Sequence, residues 1–446
     1  MKISLLAPAG AMHRYSGSFK KPLHYAPLTL TTLAALIPDD LEAEVEIYDE
    51  TAGVIPKDLN ADIIGITAIT GTSERAYCWA DYYRHRGATV VLGGVHPTLM
   101  PKEAAQHADT VMVGFTEQTW PRMLRDFKSG VLKKCYYQNS DFSIAGRPPP
   151  RRDLLKRKRY VTLNSVEAIR GCHLPCIFCA YPAAFGRNIY KRPVREVIEE
   201  IEMLKGKEVL FPDINLIADH EYARELFREM VPLKKWWFGL TTSDVTKDKE
   251  LFNLIVQSGC RGLLIGFESI TQNTQKFVKK GINNVSNYDE LINKLHDAGI
   301  AINGCFAFGG DDEDASVFER TTEEVIRLKI DLPRYSILTP FPGTQLYREF
   351  EQQGRIIERD WAMYDVEHCV FRPKQMTQED LEEGIDRAWK ETYSIVNIVK
   401  RLATFGTPHF ATIPANFFGY RTYARKFGRF GRSVMTDNSD IETKEG

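Results

Sequence analysis

The chain has 446 residues, 43% hydrophobic and 26% charged, with 58 Lys and Arg against 59 Asp and Glu. That length fits two or three domains of ordinary size. The apolar content excludes a disordered chain, and the formal charge of −1 argues against a nucleic-acid binder driven by bulk charge. No apolar run approaches the roughly 18 residues of a membrane span. Pro8 and Gly10 break the short apolar N-terminus, which suits a buried strand and loop better than a signal peptide.

In chain order, residues 1–127 alternate short apolar runs with amphipathic stretches. Strands are predicted at 2–7, 45–48, 62–69, 89–92 and 110–113. The helix 72–86 has Ala76, Trp79, Ala80 and Tyr83 at helical spacing. Strands separated by helices predict a parallel, doubly wound, Rossmann-like sheet whose ligand sits at the carboxyl ends of the strands. Residues 128–160 break the pattern. The run Arg147-Pro148-Pro149-Pro150-Arg151-Arg152-Asp153 reads as a solvated, proline-stiffened linker. From 161 to 348 six more strands are predicted, at 165–169, 208–211, 237–241, 262–266, 302–306 and 335–338. Helices at 193–204, 219–230, 249–258 and 287–298 lie between them. Six strand–helix repeats predict an open, partial (β/α)6 TIM-type barrel. Residues 349–432 read as helical. The capping-box run Thr377-Gln378-Glu379-Asp380 leads into Leu381, Ile385, Ala388, Trp389 and Tyr393 at helical spacing. The polar tail 433–446 is expected to be disordered.

Five of the eight cysteines (Cys78, Cys135, Cys260, Cys305 and Cys369) are scattered, and Cys78, Cys260, Cys305 and Cys369 read as buried structural thiols. The other three stand in Gly171-Cys172-His173-Leu174-Pro175-Cys176-Ile177-Phe178-Cys179, directly after the first barrel strand. A long chain with one crowded trio suits a metal site in the reducing cytoplasm, not a disulfide framework. Thiolates favour iron–sulfur clusters or zinc. A four-iron cubane normally takes four cysteines, so three leave one iron open for a substrate. A zinc site with His173 as fourth ligand and a chance trio of buried thiols are the alternatives at this point. Carboxylates, hydroxyls and glycines recur after the other barrel strands, on the edge where such barrels build their sites: Asp213 and Asn215, Ser243 and Asp244, Glu268, Gly309 and Gly310, and Pro340. In the first domain the strand ends carry Thr67-Ala68-Ile69-Thr70-Gly71, Gly93-Gly94-Val95-His96-Pro97 and Gly114-Phe115-Thr116-Glu117. Small hydroxyl and glycine residues there suit a ligand buried between sheet and helix. The G-x-G-x-x-G of a dinucleotide site is absent.

The Cys172, Cys176, Cys179 spacing, with Phe178 before the last cysteine and six strand–helix units around it, resembles the radical S-adenosylmethionine superfamily. The resemblance implies a 4Fe-4S cluster on those three cysteines. It also implies S-adenosylmethionine on the open iron and a 5′-deoxyadenosyl radical released by reductive cleavage. Phe178, Asp213, Asn215, Ser243, Asp244, Glu268, Gly309, Gly310 and Pro340 would border the cosubstrate. Pro212-Asp213-Ile214-Asn215 stands where the family often carries Gly-Gly-Glu.

The first domain is similar to cobalamin-binding domains, with Thr67-Ala68-Ile69 in place of S-x-L and Gly93-Gly94 after the next strand. The implied cobalamin contacts are Thr67, Ile69, Thr70, Gly71, Gly93, Gly94, His96, Pro97, Gly114 and Glu117. The family's D-x-H-x-x-G is replaced by Pro8-Ala9-Gly10-Ala11-Met12-His13, so no protein histidine, His13 included, is expected on cobalt.

Both domains together resemble the cobalamin-dependent radical S-adenosylmethionine enzymes of the methyltransferase branch. The run Arg372-Pro373-Lys374-Gln375-Met376-Thr377 and its helix look like members that methylate hopanoid lipids and chlorin pigments. The resemblance implies methyl transfer from methylcobalamin to an unactivated carbon of an apolar small-molecule or lipid substrate, after hydrogen abstraction. No catalytic side chain beyond the cluster ligands is implied, and a flavodoxin or ferredoxin would supply electrons. Two other readings stay open: the same cofactors used for ring formation, rearrangement or oxidation, and a non-catalytic iron–sulfur scaffold or sensor. Phe410, Phe417, Phe418 and Tyr420, with nearby Arg421, Arg425 and Lys426, read either as a membrane-facing or lipid-lining element or as ordinary packing.

Overall fold

The structure, a computed structural model, describes residues 1–10, 26–403, 409–426, 438, 440 and 441. His13 and the rest of the segment after Gly10 lie outside the described residues.

Six parallel strands form the first sheet: β1 (Lys2–Ala7), β2 (Glu44–Asp49), β3 (Ile63–Thr67), β4 (Thr89–Gly93), β5 (Thr110–Val113) and β6 (Cys135–Tyr137). Their order is β2-β1-β3-β4-β5-β6. Ile3 to Leu6 and Ile63 to Ile66 are buried without alternation, as expected where helices cover both faces of a parallel sheet. Helix Ser73–His85 packs Ala76, Trp79, Ala80 and Tyr83 on one side; Leu30 and Ala34 of helix Leu28–Ala35 fill the other. The order reverses at β1, between β2 and β3, and ligands of doubly wound sheets bind at such a switch point.

The expected linker is in part an extension of this sheet, since β6 lies within it. It is also not solvated throughout. Arg147 is 6% exposed, and Arg152 bonds the Leu163 and Ser165 carbonyls and the buried Glu200. A guanidinium carries five donors in a fixed fork, so these two arginines strap the connection to the barrel while Arg151 stays outside, paired with Asp153.

The predicted first barrel strand is mostly irregular. It keeps one parallel bridge, Ser165 to Leu210, and then β7 (Ile169–Arg170) turns to pair antiparallel with β8 (Tyr190–Lys191). Asp213 is the reason: its Oδ1 accepts the Ala168 and Ile169 N–H groups at 2.9 and 2.5 Å, which a ladder would otherwise use. The remaining strands, β9 (Glu208–Leu210), β10 (Trp236–Thr241), β11 (Cys260–Glu268), β12 (Ala301–Phe308) and β13 (Arg334–Ile337), are parallel and in sequential order. Unlike the first sheet, β10, β11 and β12 largely alternate buried and half-buried residues. One face rests on the surrounding helices, and the other lines a lumen that side chains do not fill.

Helix Gln378–Thr392 starts at the Thr377–Asp380 capping box and lays Gly384 against the Phe318 ring, where a Cβ would collide. Helix Ile395–Leu402 and the helical stretch 409–426 then pass beneath the amino ends of the barrel strands. Arg401 donates to the Ile330 and Asp331 carbonyls, Asn416 donates to Asp331, and Phe410 lies 5.4 Å from Trp236 between ring centres. Within the tail expected to be disordered, Asp440 pairs with Arg75 at 2.8 Å and Ile441 is buried in the first domain's core. The rest of 433–446, apart from Asn438, lies outside the described residues.

Candidate active site between the two sheets

The cysteine loop is held from both sides. The Ile177 N–H bonds the Val278 carbonyl, and the Ile177 carbonyl accepts from Leu346 N–H. Gly171, at φ +113°, lets the loop pass the Asn188 carbonyl closer than any Cβ permits. Cys172, Cys176 and Cys179 are half-buried free thiols, and His173 is exposed. Burial, reinforced by the charges of Cys179 and Cys172, pushes Cys176 up to about 12; burial and Cys172 raise Cys179. Buried thiols such as Cys176 and Cys179 ionise readily only beside added positive charge, which a bound iron cluster would supply. Among the described residues no three His, Cys, Asp or Glu side chains converge on one ion position.

Glu268, at the carboxyl end of β11, comes next to this loop. It has φ +60° beside a bulge in β11, a costly conformation for a residue with a Cβ. Lys280 holds it there, bonding Glu268 Oε1 at 2.5 Å and the Gly266 carbonyl at 2.8 Å. Any side chain on Gly266 would occupy the space of that pair. Ser243 joins the same network through Asn283 Oδ1 at 2.6 Å, and Asn283 Nδ2 donates to the Gly266 and Phe267 carbonyls. Asp244 accepts from the Thr242 hydroxyl. Lys280 and Asn283 carry no strand-end position in the sequence, so strand-end reasoning missed them.

Gly309 and Gly310 differ from expectation. Both N–H groups donate to Glu313 Oε2, at 2.9 and 3.0 Å, and a Cβ at these positions would press on Phe371 and Thr274. Both glycines thus allow a close approach of the protein's own side chains. Burial raises the Glu313 carboxyl, which also takes hydrogen bonds from Ser269 and Thr274. The spacing Gly310-Asp311-Asp312-Glu313 was the available signal. Phe178 packs partly buried against the barrel core, and Pro340 is buried in the loop after β13.

A cavity of about 1230 Å³ joins the two sheets. Thr67, Ile69, Gly93, Gly94, Gly114 and Glu117 line it at the carboxyl edge of the first sheet, and it continues past Gly65, Val91, Met112, Leu33 and Trp120. On the barrel side it runs along Asp213, Leu210, Phe238, Leu240, Leu264 and Asn303 to Phe410, Thr412 and Phe418. Gly94, at φ +103°, brings β4 against the Ala68 carbonyl, 2.6 Å from where a Cβ would stand. The first arm is a slot between sheet and helix, edged by backbone, and fits a bulky ligand with a buried tail.

Thr70, Gly71, His96 and Pro97, also expected to contact cobalamin, are not among the residues that line this cavity. His96 is fully buried, facing Thr70 Oγ1 at 3.3 Å and Glu103 Oε1 at 3.1 Å. Glu103 also takes hydrogen bonds from Tyr77 and from Trp361 of the C-terminal region. A Cβ on Gly71 would come 3.1 Å from the Tyr364 carbonyl. Thr70, Gly71 and His96 belong to the packing of the first domain against the C-terminal region, where His96 meets the Trp361 ring edge-on. No described histidine lines the cavity.

Between the two arms stands an ion network that sequence reasoning missed. Arg170 bonds Glu117 at 2.5 Å and Glu167 at 2.7 Å, and Arg147 bonds Glu167 at 2.6 Å. It links the first domain, the connection and the barrel. Burial works against the Glu167 charge, but Arg170 and Arg147 outweigh it and hold the carboxyl at about 2. Phe115, stacked on Phe185 at 4.5 Å and under Arg170 at 4.8 Å, packs across the same boundary. Asp213 and Asn215 are both buried. Asp213 spends Oδ1 on the backbone while Oδ2 has no protein partner; burial and then Glu167 raise its carboxyl to about 7. Asn215 Oδ1 is likewise without a partner.

Fold and site together define a radical S-adenosylmethionine barrel joined to a cobalamin-type domain, and comparison with known proteins agrees. Residues 166–325 match the radical SAM superfamily and residues 24–124 match the B12 binding domain. The bacteriochlorophyllide d C-12(1)-methyltransferase of Chlorobaculum tepidum is 32% identical over 87% of this chain and 86% of its own length. The bacteriochlorophyllide d C-8(2)-methyltransferase of the same organism is 29% identical over 86% and 88%. Among solved structures, the cobalamin-dependent S-adenosylmethionine radical enzyme OxsB superposes with a TM-score of 0.68 at 13% identity, over 95% of this chain and 71% of that one. The chain belongs to the cobalamin-dependent radical S-adenosylmethionine methyltransferases. Its cofactors are a 4Fe-4S cluster, S-adenosylmethionine and cobalamin. No helix among the described residues is long and apolar enough to cross a membrane.

Proposed function

We propose that this methyltransferase acts in the cytoplasm on an unactivated carbon of a largely apolar small molecule of the chlorin type, drawing electrons from a flavodoxin or ferredoxin. One observation carries the reading: a single, mainly apolar cavity runs from the carboxyl edge of the first sheet into the barrel lumen, so a flat, bulky substrate can lie between the two cofactors. The acceptors named for the two bacteriochlorophyllide relatives support it.

When bound, the cluster provides the electron that splits S-adenosylmethionine, and cobalamin carries the methyl group. The chain's residues divide the remaining work. Cys172, Cys176 and Cys179 hold the cluster. Glu268, fixed by Lys280, and Ser243 and Asp244 border the cosubstrate, with Asn215 and the free oxygen of Asp213 offering acceptors to its amino group. Thr67, Ile69, Gly93, Gly94, Gly114 and Glu117 border the corrin. The ion network and the Phe115 stack close the seam between domains, excluding water from a site that must contain a carbon radical.

The test is anaerobic reconstitution of the full chain with iron, sulfide and cobalamin, followed by incubation with bacteriochlorophyllide d, S-adenosylmethionine and reduced flavodoxin. The expected product gains one CH2, with S-adenosylhomocysteine and 5′-deoxyadenosine formed together. Deoxyadenosine without S-adenosylhomocysteine or methylated pigment overturns methyl transfer in favour of a ring-forming or oxidising reaction.

A further inference from the structure

The underside of the barrel carries an apolar face that is continuous with the cavity. Helix Ile395–Leu402 buries Ile398 and Arg401 and turns Ile395, Val396 and Val399 outward. The neighbouring helical stretch 409–420 exposes Phe410, Ile413 and Phe418. These six side chains are between 43% and 63% exposed. Single exposed apolar residues are ordinary, but six on two touching helices are not. Phe410 and Phe418 also belong to the cavity wall, so its lower end reaches this surface.

The rim is amphipathic. Trp236 continues the apolar face against Phe410, and the Lys207 ammonium stands 5.7 Å above the Trp236 ring. Lys234 and Lys400 are exposed, and Lys329 reaches the Ala403 carbonyl at the end of the first helix at 3.1 Å. Glu208 pairs with Trp236 across β9 and β10 and has Arg157 3.9 Å away. An apolar centre with lysines at its edge and a tryptophan at the boundary is the chemistry of an element that lies in a lipid interface.

We propose that this face docks on an anionic lipid surface and that the cavity takes up its substrate through it. The uptake step rests on the apolar substrate proposed above; the docking does not.

The experiment is cosedimentation of the reconstituted full-length protein with vesicles of phosphatidylcholine, alone or mixed with phosphatidylglycerol. The expected result is binding to the mixed vesicles that weakens with salt. Val396→Asp with Val399→Asp lowers the partition coefficient about tenfold, and Lys329→Glu or Lys400→Glu lowers it about fivefold for each charge removed. All variants keep the thermal midpoint and the cluster and cobalamin spectra. Wild-type protein that stays in the supernatant with both vesicle types overturns the proposal. So does a wild-type dimer in sedimentation velocity that Val399→Asp converts to monomer without any vesicle binding. If the valine variants fail to fold, the lysine variants decide. Vesicle binding is read without turnover, so inactivity toward bacteriochlorophyllide d alongside intact binding counts against the proposed function and leaves the docking standing.

Discussion

Glu167→Gln removes the charge at the centre of the interdomain network, and the structure sets its cost. The ordinary carboxyl value is 4.5, and in the folded chain burial opposes the charge while Arg170 and Arg147 hold it at about 2. A gap of roughly 2.5 units is worth about 3 kcal/mol at 1.36 kcal/mol per unit. The folded value lies below the unfolded one, so the stabilisation is complete above about pH 4.5 and is lost as pH falls towards about 2. Urea unfolding of the full-length apo chain, followed by circular dichroism from about pH 7 down to about pH 3.5, measures it. The variant should be about 3 kcal/mol less stable at neutral pH, with the deficit shrinking below pH 4.5. A deficit under about 0.5 kcal/mol at neutral pH, or one of constant size across the range, refutes the ion network as the clamp between the domains.

Replacing Cys172, Cys176 or Cys179 with Ala should abolish cluster absorbance and 5′-deoxyadenosine formation while the first domain still retains cobalamin. Cys260→Ala, at a buried thiol in the barrel core, should spare both spectra. Gly94→Ala forces a Cβ onto the Ala68 carbonyl at a positive φ, costing about 1–3 kcal/mol. Cobalamin absorbance after gel filtration should fall with the melting temperature. Asp213→Asn keeps the Oδ1 acceptor for Ala168 and Ile169. Because burial and Glu167 raise the folded carboxyl to about 7 from 3.8, its ionisation costs stability as pH rises between those values, and the asparagine chain has no such cost. The variant should therefore gain stability over wild type as the pH is raised from about 4 to about 7; parallel curves would show that the carboxyl does not titrate there.

Periodicity and spacing are legible in the sequence, and they place β1 to β5 and β9 to β13 to within about two residues at each end, while β6 lies in the stretch read as linker. The cysteine spacing identifies the loop because three thiols in eight positions allow few chemistries. What stays hidden is each side chain's partner. His96 and Gly71 sit in a stretch that resembles a cobalamin contact, yet Glu103 and Tyr364 claim them, because the C-terminal region returns to the first domain from more than 250 residues away. Gly309 and Gly310 look like room for a ligand, and Glu313 and Phe371 fill it. The first barrel strand has strand-like residues, but Asp213 takes two of its N–H groups. In each case a specific partner, near in the chain for Glu313 and far for Asp213 and Tyr364, takes up a position that local pattern would assign elsewhere, and a single sequence does not display that competition.

The same competition explains where the network lies. A radical site needs a dry seam, and a seam between two domains is where water enters. Apolar contact alone tolerates sliding, whereas a guanidinium held by two carboxylates in fixed geometry does not. Arg170 stands two residues before Cys172 and bonds Glu117, which lines the cavity in the first domain. Any opening of the domains therefore pulls directly on the strand that leads into the cluster loop. Breaking one partner leaves a buried charge uncompensated, a cost of about 3–5 kcal/mol, so the closed arrangement is favoured even before substrate enters. Coupling of this kind makes domain closure and the position of the cysteine loop a single structural variable.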